Sequence, residues 1–136
     1  MRKTIMLAAG LLTAGMWASA HAAETYKATL NGASEVPPVQ TSATGSATVT
    51  VDPASKKVTW LVTYTGLTPA AAHIHCGAAA GANAGVAVPL NAGPSPMKGS
   101  GTMTEAQLAE LQAGKCYANI HTAANKGGEI RGQLAK

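Results

Sequence analysis

The chain is poor in the features that mark the commoner function classes. It has two tryptophans, three tyrosines and no phenylalanine, and only 12% of its residues are charged. Lys27, Lys56, Lys57, Lys98, Lys115 and Lys126 are spread out and form no basic run. With so few aromatic rings for base stacking, that pattern argues against nucleic-acid binding. Beyond the first 22 residues no apolar run approaches the ~20 residues that a membrane-spanning helix requires. There is no Gly-x-Ser-x-Gly. The stretch Gly77-Ala78-Ala79-Ala80-Gly81 lacks the lysine and the strand-to-helix setting of a phosphate loop. The six acidic residues do not cluster as an acid/base pair.

The N-terminus has its own pattern. Arg2 and Lys3 precede an apolar stretch from Ile5 to Trp17, and Ala18-Ser19-Ala20-His21-Ala22 supplies small residues for signal peptidase. Residues 1–22 are therefore expected to be a secretory signal peptide, and residues 23–136 one domain. The expected location is periplasmic or secreted. Cleavage after Ala22 fits the small-x-small pattern, and so does cleavage after Ala20, which would make His21 the new N-terminus. Loss of Arg2 and Lys3 lowers the net charge from +4 to +2.

The rest reads largely in period two. Tyr26–Leu30 is a strand, and Asn31–Pro38 is a turn and loop whose prolines cannot donate to a ladder. Ala47, Val49 and Val51 alternate with Ser46, Thr48 and Thr50. After a turn at Asp52–Lys56, Val58, Trp60, Val62 and Tyr64 alternate with Thr59, Leu61 and Thr63, which makes a hairpin. Ala71–Cys76, Val86–Leu90, Met97–Met103, Cys116–Thr122 and Glu129–Leu134 are further strands. The Gly/Ala-rich stretch Gly77–Gly85 has no bulky anchor, so it is expected to be mobile or ordered only at its ends. Thr104 and Gln107 form a capping-box pair, Leu108 and Leu111 give one apolar stripe, and Gly114 is placed to end the helix. The expected fold is an all-β antiparallel Greek-key sandwich of the immunoglobulin or superoxide dismutase type, with one short helix.

Two of these strands carry three of the four histidines: His73 and His75, and His121. Alternate residues of a strand share a face, with Cα atoms roughly 6.6 Å apart. Alternation puts Ile74 and Cys76 on one face of their strand and Cys116, Ala118 and Ile120 on one face of theirs. His73 and His75, and Tyr117, Asn119 and His121, then occupy the opposite faces. Two cysteines in an exported protein suggest a Cys76–Cys116 disulfide, and the rival reading is a pair of soft metal ligands. The face assignment separates them from the histidines. Neutral imidazole suits copper or zinc, and Cu²⁺ stands highest in affinity for nitrogen sites. His73, His75 and His121 are thus candidate ligands, with copper the favoured ion and Asn119, Tyr117 and Glu129 as supporting partners. The alternative is that they are structural. A mature N-terminal His21 could also chelate copper together with another histidine. Glu129 and Arg131 are expected to form a surface ion pair, and Met97 and Met103 to pack.

Five segments, in order, resemble the CHRD domain family: Leu30–Pro38, Tyr64-Thr65-Gly66-Leu67, Ala72-His73-Ile74-His75, Gly114–Thr122 and Gly128–Leu134. The resemblance spans nearly the whole mature chain and implies a β-sandwich, with no settled activity. The cysteines at 76 and 116 depart from the pattern. The His-x-His strand also looks like the copper strand of copper/zinc superoxide dismutases. Such an enzyme needs further histidines and an aspartate for zinc, and an arginine beside the copper, whereas Arg131 is the one arginine of the mature chain. Three functions follow as expectations: a copper-binding module, a dismutase-like redox enzyme, and a metal-free adhesion module.

Overall fold

The computed structural model describes residues 21–136, together with Gly10 and Gly15. The expected signal peptide lies outside the described residues, apart from Gly10, Gly15 and its last two residues. The strands are β1 (Glu24–Asn31), β2 (Thr44–Val51), β3 (Lys57–Thr65), β4 (Ala71–Cys76), β5 (Val86–Leu90), β6 (Met97–Thr102), β7 (Cys116–His121) and β8 (Ile130–Gln133). The helix α1 (Glu105–Gln112) joins β6 to β7. All strand pairs are antiparallel, in the order β5-β4-β7-β8-β1-β2-β3-β6. The all-β architecture with one short helix is the expected one. Its strands form one continuous sheet that nearly closes, because its two ends, β5 and β6, meet.

Alternation explains the core. Val49, Val51, Val58, Trp60 and Val62 point inward and are buried, as are Leu30, Ile74, Ile120 and Ile130 from the other strands. The outward positions of β1 to β3 are hydroxyl-rich and pair across strands, with Ser46 and Thr63 at 2.8 Å and Thr25 and Thr50 at 3.3 Å. Such pairs each stabilise by a fraction of a kcal/mol, and threonine suits an exposed pleated face.

The helix is delimited as its sequence implies. The amide of Gln107 donates to Thr104 Oγ1, and the amide of Thr104 donates to Gln107 Oε1. Leu108 and Leu111 are buried, and Gly114 adopts the left-handed conformation (φ +77°) just past the last turn. Met97 and Met103 are core residues.

Cys76 and Cys116 stand opposite each other in the β4–β7 register and are joined by a disulfide, with Cα atoms 4.1 Å apart. The bridge excludes both cysteines as thiolate ligands. It also fixes the register of the two strands that carry the histidines.

Candidate metal centre

The β4–β7 ladder places His73 opposite Asn119, His75 opposite Tyr117, and Ala71 opposite His121. Alternation puts all five polar and aromatic side chains on one face, as the sequence implied. His73, His75 and His121 each offer one ring nitrogen, and the three lie within 4.8 Å of one another. A tetrahedral ion with metal–nitrogen bonds of 2.0–2.1 Å needs its ligands about 3.3 Å apart. His73 Nδ1 and His121 Nε2 are already 3.0 Å apart.

The hydrogen bonds define the tautomers of this pair. His121 Nδ1–H donates to the carbonyl of Lys126 at 2.8 Å. A carbonyl only accepts, so the neutral His121 ring carries its lone pair on Nε2. His73 Nδ1–H donates to that lone pair, which leaves His73 Nε2 as the other lone pair of the couple. Burial first, then the charges of His121 and His75, holds the His73 pKa below the usual imidazole value. The neutral form is the one that binds metals.

His75 is held differently. Its ring stacks nearly parallel on Tyr117, with centroids 4.8 Å apart. Nδ1–H donates to the carbonyl of Ala84 at 2.9 Å, and Nε2 lies 3.0 Å from Asn119 Oδ1. Two acceptors would demand a cationic ring, yet burial dominates and keeps the His75 pKa below normal. The neutral ring is satisfied once the Asn119 amide turns over and donates Nδ2–H to Nε2. Coordination through Nε2 requires Asn119 to release it.

The loop Gly77–Gly85 covers this face. It has no bulky anchor of its own, yet side chains from the sheet seize its backbone. Arg131 donates to the carbonyl of Ala82 at 2.6 Å and to Asn83 Oδ1 at 3.0 Å. Gln133 donates to the carbonyl of Ala78, His75 to that of Ala84, and the Ala84 amide donates to the Tyr117 hydroxyl. Anchoring therefore runs through the middle of the loop as well as its ends. On the face opposite the cysteines His75 is consequently buried, only 8% exposed, while His73 and His121 stay half-buried.

The expected Glu129–Arg131 surface pair is not formed. Arg131 is 1% exposed and lies on the Tyr117 ring, its guanidinium carbon 3.5 Å from the centroid. Glu129 is also buried and accepts hydrogen bonds from Thr41, Thr122 and Asn125. Burial pushes the Glu129 pKa up, but the bonds from Thr122, Asn125 and Thr41 outweigh it and leave the net value below normal. The Glu129 carboxylate hydrogen-bonds to none of the three histidines. It braces the 122–129 turn, which carries the Lys126 carbonyl that orients His121. His21 lies apart from the cluster, in a cavity wall with Thr25, Pro53 and Lys136.

Sequence reasoning missed Glu35, Asn83 and Gln133. Glu35 is 4% exposed, and burial drives its pKa up to about 7 against the opposing influence of Arg131 and Asn119. In a Ser-Glu-Val-Pro-Pro loop, nothing in the sequence distinguishes it from a solvated acid.

Among the described residues no helix is long and apolar enough to cross a membrane. No curated protein and no solved structure matches the chain. The sequence model of the CHRD domain does match, over residues 26–134. That span begins inside β1 and ends one residue beyond β8, so it takes in most of β1, all of β2 to β8, the helix, the disulfide and all three histidines of the cluster. The chain belongs to the CHRD domain family.

Proposed function

We propose that this chain is an exported binding module that coordinates a transition metal through His73, His75 and His121, with copper the favoured ion. The observation that carries the reading is the gathering of three imidazole nitrogens within 4.8 Å on one strand pair. Around them, the carbonyls of Lys126 and Ala84 accept from the Nδ1–H groups of His121 and His75 as the outer partners of metal-bound histidines do. Three protein nitrogens leave an open position. The export signal supports copper, a metal of extracytoplasmic compartments. Both terminal nitrogens of Arg131 are engaged by the loop. That favours holding a metal over dismutase-like turnover, which would use a guanidinium beside the open position.

One observation favours a second reading, a metal-free structural cluster. His73 and His121 already satisfy each other, and both nitrogens of His75 have partners.

Copper titration of the purified exported protein separates the two. The metal-binding reading expects one ion per chain, with nitrogen hyperfine splitting in the electron paramagnetic resonance spectrum. It also expects affinity to fall about 100-fold or more in a His73→Ala, His75→Ala double variant, since loss of outer partners alone reaches that range. Equal affinity in the two proteins sinks the reading. Superoxide consumption no faster than by free copper removes the redox version.

A further inference from the structure

His75 Nε2 lies against the Asn119 amide, and that amide has a second neighbour. Asn119 Nδ2 lies 2.8 Å from the point where a Cβ would stand on Gly128, and Glu35 Oε1 lies 2.5 Å from the same point. Because residue 128 is glycine, the amide and the carboxyl meet there and share a hydrogen bond. Glu35, Asn119 and His75 are all buried. They form a row with the amide in the middle, bonded to the carboxyl on one side and to the ring on the other. The other groups facing the row are Arg131 of β8, felt at both ends, and His73, His121 and Tyr117 around the His75 ring.

A carboxamide has one accepting end and one donating end. What it presents to one neighbour, it withholds from the other. An ionised Glu35 only accepts, so it draws Nδ2–H toward itself and turns Oδ1 to His75. Nε2 must then carry a hydrogen. A protonated Glu35 donates its O–H to Oδ1, which turns Nδ2–H to His75. Nε2 then holds a bare lone pair, and Nδ1–H keeps the Ala84 carbonyl. When Glu35 is ionised, that carbonyl pulls the other way. The carboxylate prevails, because a hydrogen bond to an ionised acceptor is roughly twice as strong as a neutral one. The Ala84 carbonyl still keeps the Tyr117 hydroxyl as a donor. Burial raises the Glu35 pKa to about 7 against the opposing Arg131 and Asn119, so both forms are populated near neutral pH.

We propose that Glu35 is a positioning residue for the histidine face: through Asn119 it decides whether His75 Nε2 presents a lone pair or a hydrogen. Its bearing on metal binding rests on the function proposed above. The sign is the reverse of an ordinary histidine. Nε2 gains a hydrogen as pH rises, and the nitrogen that Asn119 guards is bare on the acid side of the Glu35 titration.

Imidazole nitrogen NMR of the metal-free protein tests this, since it separates a bare ring nitrogen from one that bears hydrogen. In wild type, His75 Nε2 is expected to be bare at pH 6 and to carry a hydrogen at pH 8.5. Glu35→Gln keeps the shape of the side chain and removes its titrating proton, so the gain of hydrogen should disappear. His73, His121, Tyr117 and Arg131 are the same in both proteins, so their titration does not produce a difference between them. An Nε2 that keeps one state from pH 6 to 8.5, or that loses a hydrogen over that range, overturns the proposal, and wild type alone delivers that result should the variant not fold. A folded Glu35→Gln protein with the same gain overturns it too. No metal is present in the measurement. Its failure therefore leaves copper binding to its own titration, and a failed copper titration leaves this result standing.

Discussion

Replacing Glu35 by glutamine should change how stability depends on pH. The carboxyl is pushed from 4.5 up to about 7 by burial, which outweighs the Arg131 charge and the Asn119 amide. A shift of that size, at about 1.4 kcal/mol per unit, corresponds to at most about 3 kcal/mol. The sign follows from proton binding. Between pH 4.5 and 7 the folded chain holds a proton on Glu35 that the unfolded chain has released. The contribution of Glu35 is therefore most favourable below pH 4.5 and is lost as pH rises through 7. His73 and His75 act in the opposite sense. Their pKa values are lowered, so their contribution improves as pH rises toward 6.5. The whole-protein profile mixes the two effects, but the difference between Glu35→Gln and wild type isolates the first. Urea unfolding of both proteins, followed by tryptophan fluorescence from pH 4 to 8.5, measures it. The variant should match wild type near pH 4 and exceed it by up to about 3 kcal/mol above pH 7.5. A difference that stays flat across this range refutes the reasoning, because Glu35 would then titrate as a solvated acid.

Gly128→Ala should destabilise by about 2 kcal/mol or more, read by thermal unfolding, since a non-glycine residue is strained at positive φ. Its φ is +118°, and a Cβ there would lie 2.5 Å from Glu35 Oε1 and 2.8 Å from Asn119 Nδ2; unchanged stability would contradict the crowding. A Cys76→Ser, Cys116→Ser double variant opens a closure of 40 residues. In the chain-entropy model that costs about 4 kcal/mol, measured by denaturant unfolding under non-reducing conditions. A loss below about 1 kcal/mol would show that the β4–β7 register stands without the bridge.

The parts of this fold that were legible in the sequence are those governed by local periodicity. Alternation placed Val49, Trp60 and Ile74 inside. It put His73, His75 and His121 on one face, with Cys76 and Cys116 on the other. The capping box and Gly114 bounded the helix, because capping is settled within a few residues. What could not be read depends on which strands become neighbours. Asn83 and Arg131 meet across 48 residues of sequence, and Thr41 and Glu129 across 88. Nothing in Glu129-Ile130-Arg131 announces that its two charges part company, one to a turn and the other to an aromatic ring. The burial of Glu35 depends likewise on Arg131, Asn119 and Gly128, which sheet order brings to it.

The loop over the histidine face carries a consequence of its own. Its partners grip it mainly through main-chain atoms, at Ala78, Ala82 and Ala84, and take hold of only one side chain, that of Asn83. A segment held in this way is tolerant of lettering and intolerant of spacing. Several of its alanines can change identity without disturbing a single carbonyl. Removing one residue draws the carbonyls out of step by about 3.3 Å, the rise of an extended residue. His75 and Arg131 would then lose their partners together, so loop length is the coordinate that ties the histidine face to the buried arginine.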